Sequence, residues 1–122
     1  AANDSRILFL DFQNQQQMPV IYRLGDVFVL PSKGPGETWG LSVNEAMASG
    51  RAVIVSDKCG CAQDLVHENG IVFQAGNQPA LEQALRFFID QPKQVNVMGT
   101  KSSNLIQSFS HASIAKVIEE LL

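Results

Sequence analysis

Residues 27–50 read V-F-V-L-P-S-K-G-P-G-E-T-W-G-L-S-V-N-E-A-M-A-S-G. The continuous apolar run Val27–Leu30 predicts a buried strand. A loop rich in glycine and proline follows, and a helix is expected from about Leu41 to Ala48. A strand that feeds a glycine-bearing turn and then a helix is a recurrent anion holder. The first helical amides have no partner inside the helix, and the helix dipole favours negative charge there. Two glutamates bracket the turn: Glu37 before the helix and Glu45 two turns into it. Leu41 and Glu45 are four apart and share a helix face. A glutamate in a helix is ordinarily a solvated surface residue. Here Ala46, Met47 and Ala48 make the helix read as mostly buried, and a buried carboxylate needs a partner.

Working outward, the same alternation recurs. Ile7–Leu10, ending at Asp11, reads as a buried strand. Met18, Ile21, Tyr22 and Leu24 suggest a short helix closed by Gly25. Ala52–Val55 is a third buried run, with Ser56 and Asp57 at its carboxyl end. Ala62–His67 reads as a short helix, Asn69-Gly70 as a turn, and Ile71–Phe73 as a fourth strand. Asn77-Gln78-Pro79 opens a helix whose apolar positions Leu81, Ala84, Leu85 and Phe88 have helical spacing. Pro92–Leu122 reads as two further helices, the second starting at Ser110 or Ser113.

Four continuous apolar strands near 7–11, 26–30, 52–56 and 71–73, separated by helices, predict a Rossmann-like three-layer α/β/α fold with a parallel sheet. Ligands of such sheets bind beyond the carboxyl ends of the strands. Asp11, the loop 32–40 and residues 56–61 are expected at that edge, with an anion site at Glu37–Leu41.

The whole chain bounds the rest. Its 122 residues are expected to form one domain. At 45% hydrophobic and 17% charged, with net charge −3, it lacks the basic patch that a nucleic acid requires. No apolar stretch reaches the length of a membrane span, so a soluble, cytoplasmic protein is expected, with the inner membrane face as a further location. Cys59 and Cys61 are one residue apart, a spacing that strains a disulfide, so free thiols are expected. With only His67 and His111 as histidines, no metal site is expected.

The stretch D-V-F-V-L-P-S, then E-T-W-G-L-x-x-x-E-A-M-A-x-G-x-A-V-I, resembles the C-terminal domain of glycosyltransferase family 4, whose members are retaining, nucleotide-sugar-dependent enzymes of the GT-B fold. The family's Glu-x7-Glu motif falls on Glu37 and Glu45. The resemblance runs from about Ile7 to Leu122 through Ser56-Asp57, Asp64-Leu65-Val66 and Asn69-Gly70. It implies a hexosyltransferase of glycan biosynthesis that moves sugar from a nucleotide-sugar to a glycan or lipid-linked acceptor, with no metal or other cofactor. It places Glu45 on the ribose hydroxyls and Glu37, as the catalytic-site glutamate, beside the transferred sugar. The amides of Thr38, Trp39, Gly40 and Leu41 would face sugar and diphosphate. Outside the motif, Lys33 reads as a surface lysine, and Ser56 and Asp57 as strand-end caps.

Two departures accompany the resemblance. Four residues, Lys-Gly-Pro-Gly, separate Ser32 from Glu37, where the family commonly has fewer. The first strands of such a domain, the Arg and Lys that meet the diphosphate, and the acceptor domain do not occur in this sequence. The chain therefore reads as the second half of a GT-B C-terminal domain, inactive alone. Strand 26–30 would expose an edge, to be paired by strand 7–11 or by a second copy of the chain. Two other classes remain beside a transferase. One is a non-catalytic nucleotide-sugar-binding or interaction module. The other is a sugar-nucleotide epimerase of the same fold, which needs an acid/base pair across a cleft. A receiver-type phosphoacceptor domain would want paired acids after the first strand, and these are lacking.

Overall fold

The computed structural model describes residues 4–10, 16–33 and 41–121, apart from the side chains of 41, 109–118, 120 and 121. Its elements alternate as expected: α1 (Met18–Leu24), β1 (Val27–Leu30), α2 (Leu41–Ala48), β2 (Ala52–Ser56), α3 (Ala62–Leu65), β3 (Gly70–Phe73), α4 (Gln78–Asp90) and α5 (Pro92–Leu121). The strands form one parallel sheet in the order β1-β2-β3. Val27 pairs with Ala52, and Val53 with Gly70.

β2 lies in the middle and is buried along its whole length. Alternate side chains point to opposite faces of a strand. Val53 and Val55 therefore enter a core with Tyr22 of α1, Val43, Ala46 and Met47 of α2, and Leu65 of α3. Ala52 and Ile54 enter a second core with Phe73 and with Ala84 and Phe88 of α4. Helices thus cover both faces, which gives the three layers.

α5 belongs to both layers. Met98 packs in the second core and Ile106 in the first. Between them the helix crosses the amino ends of the strands, where Gly99 lies against the carbonyl of Gly50. Gly50 ends α2 in the left-handed region at φ 76°. There the Gly50 amide donates to the Met47 carbonyl and the Arg51 amide to that of Ala46, the two bonds of a Schellman motif. At the start of α4, the Asn77 side chain accepts from the Ala80 amide, with proline in the first turn.

Three expectations need correction. Residues 7–10 are not a strand and pair with nothing in the sheet, which has three strands among the described residues. Leu8 and Phe9 are 80% and 82% exposed. An apolar run specifies a buried strand only when a sheet edge receives it, and β1 pairs only with β2. Asp11 lies outside the described residues. The tail after Pro92 is one helix of 30 residues rather than two. The backbone stays helical through Ser110 and Ser113, and earlier in the helix Ser102 is buried and accepts from Asn69 Nδ2 at 3.2 Å. Gly25 closes α1 as expected, in an extended conformation. Ala48 is exposed, so α2 is buried on one side only, through Val43, Ala46 and Met47.

The Gly99–Gly50 approach yields a test. A Cβ on Gly99 would stand 2.3 Å from the Gly50 carbonyl oxygen. Alanine in a helix interior gains about 1 kcal/mol over glycine. Overpacking costs roughly 1–3 kcal/mol, and here the obstacle is backbone fixed by the Schellman motif. Repulsion should win, and Gly99→Ala should lower the thermal midpoint. A raised midpoint would show that α5 is not seated on Gly50.

Candidate functional site

The carboxyl edge of the sheet is tied together by short side chains. Ser56, the last residue of β2, is buried and donates its hydroxyl to the Ser32 carbonyl at 2.6 Å. This fixes the first residues after β1 to the neighbouring strand. Asp57 accepts from the Ala75 amide at 2.9 Å and closes the turn after β3. Both act as the strand-end caps expected of them. A cleft of about 250 Å³ lies beside them, lined by Pro31, Lys33, Phe73, Asn77 and Leu81. Lys33 is exposed on its wall.

α2 starts at Leu41, beyond the loop that follows β1. Glu37, Thr38, Trp39 and Gly40 lie outside the described residues, as does the Leu41 side chain. Glu45 sits four residues along α2, about 6 Å down the axis from Leu41 at 1.5 Å per residue. It is half-buried on the wall of a groove between α1 and α2 of about 240 Å³. Tyr22, Arg23, Pro19, Ala48 and Ser49 form the rest of that groove.

A half-buried carboxylate requires a partner, and Tyr22 supplies one. Its phenol donates to Glu45 Oε2 at 3.0 Å. Tyr22 is only 9% exposed, and its ring meets Phe28 of β1 edge-on at 5.6 Å. The ring is thereby held between sheet and helix, and the hydroxyl has a fixed direction. Burial, then the hydrogen bond to Glu45 and its charge, push the Tyr22 hydroxyl up to about 12. Reading the sequence did not single out Tyr22. The signal was the unassigned partner of Glu45, together with an aromatic on the neighbouring helix.

Two other features do not converge on this edge. The groove of about 410 Å³ lined by Asp26, Arg51, Asn96 and Thr100 lies at the amino ends of the strands. Its Arg51 is engaged with the Ser49 and Gly25 carbonyls. Cys59 and Cys61 are buried free thiols. Among the described residues no three His, Cys, Asp or Glu side chains are grouped as metal ligands would be. No helix among them is long and apolar enough to cross a membrane.

The profile of the family "Glycosyl transferases group 1" matches residues 2–105. The chain belongs to this family. Among group 1 relatives, it is 29% identical over 113 residues to an uncharacterized glycosyltransferase of Methanocaldococcus jannaschii, covering 91% of this chain and 28% of that protein. It is also 29% identical over 120 residues to the D-inositol 3-phosphate glycosyltransferase of Corynebacterium efficiens, covering 97% of this chain and 28% of that protein. The chain thus spans little more than a quarter of these relatives. Among solved structures, the C-terminal domain of a glycosyl transferase group 1 protein from Francisella tularensis superposes with a TM-score of 0.77 at 26% identity, over 88% of this chain and 55% of that one. Anabaena HepE in complex with UDP-glucose superposes with a TM-score of 0.79 at 19% identity, over 98% of this chain and 34% of that one. The GT-B, Rossmann-like α/β fold is therefore shared.

Tyr22 is the single tyrosine of the chain, so its titration can be read directly. Its folded value of about 12 lies above the ordinary 10. A raised folded value means that stability is fully present below pH 10 and is lost as pH rises through 12, because the native state then holds the proton that the unfolded state has released. Phenolate absorbance should therefore rise with a midpoint near 12, and Tyr22→Phe should flatten the decline of the denaturation midpoint across that window. A midpoint near 10 would show that the phenol is not held by Glu45.

Proposed function

We propose that this chain is the donor-binding part of the C-terminal domain of a retaining, family 4 glycosyltransferase. The full-length enzyme would transfer a hexose from a nucleotide-sugar to a glycan or lipid-linked acceptor. One observation carries the reading. In a chain of the group 1 family, the second glutamate of a Glu-x7-Glu motif lies on the helix that follows β1, half-buried and hydrogen-bonded to a fixed phenol. A carboxylate accepts from two adjacent hydroxyls at once, as the 2′- and 3′-hydroxyls of a ribose present them. Glu45 is assigned to that ribose.

The helix start supplies the other half of the site. The first amides of α2 and its dipole favour an anion, which the diphosphate provides. Thr38, Trp39, Gly40 and Leu41 are assigned to sugar and diphosphate, and Glu37 to the transferred sugar at the reacting centre. The relatives named as glycosyltransferases, and the solved neighbour holding UDP-glucose, support a nucleotide-sugar as the donor.

In the full-length enzyme, Glu45→Gln keeps the size of the side chain and weakens both acceptor contacts. Charged hydrogen bonds are worth roughly 1.5–3 kcal/mol each, so donor affinity should fall by about tenfold or more. Calorimetry with the nucleotide-sugar reads this directly, and unchanged affinity would remove Glu45 from the ribose. A second expectation concerns the 122 residues alone, which span 28% of the curated relatives. They should give weak donor binding and no transfer, and measurable transfer by this piece would overturn that division of labour.

A further inference from the structure

We infer that Tyr22 is a positioning residue of the donor site, holding the Glu45 carboxylate in the orientation that reads the ribose. The inference rests on the assignment of Glu45 above and adds a residue from outside the motif. Three observations carry it. The phenol donates to Glu45 Oε2 at 3.0 Å, a distance suited to an O–H donor on a carboxylate. The ring cannot easily turn away, because it is nine-tenths buried and packed edge-on against Phe28 of β1. Finally, Tyr22 and Glu45 face each other across the α1–α2 groove, so the contact joins two separate elements.

A glutamate has three side-chain torsions, and a freely rotating carboxylate loses that freedom when it grips a diol. A carboxylate offers about four lone-pair positions, and the phenol occupies one of them. The phenol fixes the plane of the carboxylate before the donor arrives. Because Tyr22 touches Glu45 and not the reacting atoms, its loss should fall on donor binding rather than on turnover.

The test uses the full-length protein and the tightest-binding of UDP, GDP and ADP, each set against its 2′-deoxy counterpart. The ratio of the two affinities reports the ribose contact alone. Glu45→Gln should abolish the preference for the ribose form. Tyr22→Phe, which keeps the ring, should reduce that preference by about fivefold, the loss of one net hydrogen bond, and raise the donor KM while kcat changes little. In the Glu45→Gln background the Tyr22→Phe effect should vanish. Phe28→Leu, which loosens the ring but keeps the hydroxyl, separates packing from hydrogen bonding: it should lower the thermal midpoint and reduce the ratio by less than Tyr22→Phe does. An intact ratio in Tyr22→Phe, with the ratio lost in Glu45→Gln, overturns the role of Tyr22 and leaves Glu45 on the ribose. An intact ratio in Glu45→Gln overturns both. A ratio that falls equally in Phe28→Leu reduces Tyr22 to packing and overturns the inference.

Discussion

The burial of β2 on both faces is the constraint from which the rest of this structure follows. Ala52, Val53, Ile54, Val55 and Ser56 are all closed to solvent. A central parallel strand can be buried in this way only if helices lie above and below the sheet, because each face must lose its water. The helices of the chain supply them: α1 and the crossovers α2 and α3 on one face, α4 on the other. α5 then passes beneath the amino ends and contributes to both cores, a path open only because Gly99 has no side chain where it meets the Gly50 carbonyl. The carboxyl ends remain uncrossed among the described elements, and ligand chemistry collects at that edge in folds of this type.

At that edge, polar groups are held by strands and helices rather than by the loops themselves. Ser56 is the one polar residue of β2, and its hydroxyl anchors Ser32, where the chain leaves β1 for the motif. Glu45 is the corresponding case on α2. A charge among Val43, Ala46 and Met47 would be costly without a partner. The phenol of Tyr22 meets that need and gives the carboxylate a direction. The same contact joins α1 to α2, so packing between the helices and orientation of the acid are one arrangement. By contrast, the groove of about 410 Å³ at the amino edge is larger than the α1–α2 groove of about 240 Å³. Its acid, Asp26, is exposed rather than half-buried, and its guanidinium is tied to carbonyls. Chemistry, not volume, distinguishes the two grooves.

Much of this was legible in the sequence. The order of helices and strands, α2 from Leu41 to Ala48, the start of α4 at Asn77 and the burial of Ala52–Val55 follow from apolar runs, capping residues and spacing, which act between near neighbours. The family likewise rests on a motif contiguous in the chain. Glu45 was marked by its own neighbours as an acid in apolar surroundings. What the tertiary structure decided is whatever depends on residues brought from afar. Ile7–Leu10 reads as a strand, yet a strand needs an edge to pair with, and local sequence does not say whether one receives it. Ser110 or Ser113 reads as the start of a second helix, but the helix runs on from Pro92 to Leu121, and within it Ser102 is held by Asn69, 33 residues away. Tyr22 reads as one more apolar position in a short helix. Only the docking of α1 on α2 and β1 brings its hydroxyl to Glu45, 23 residues distant, because a hydrogen bond depends on position in space and not on distance along the chain.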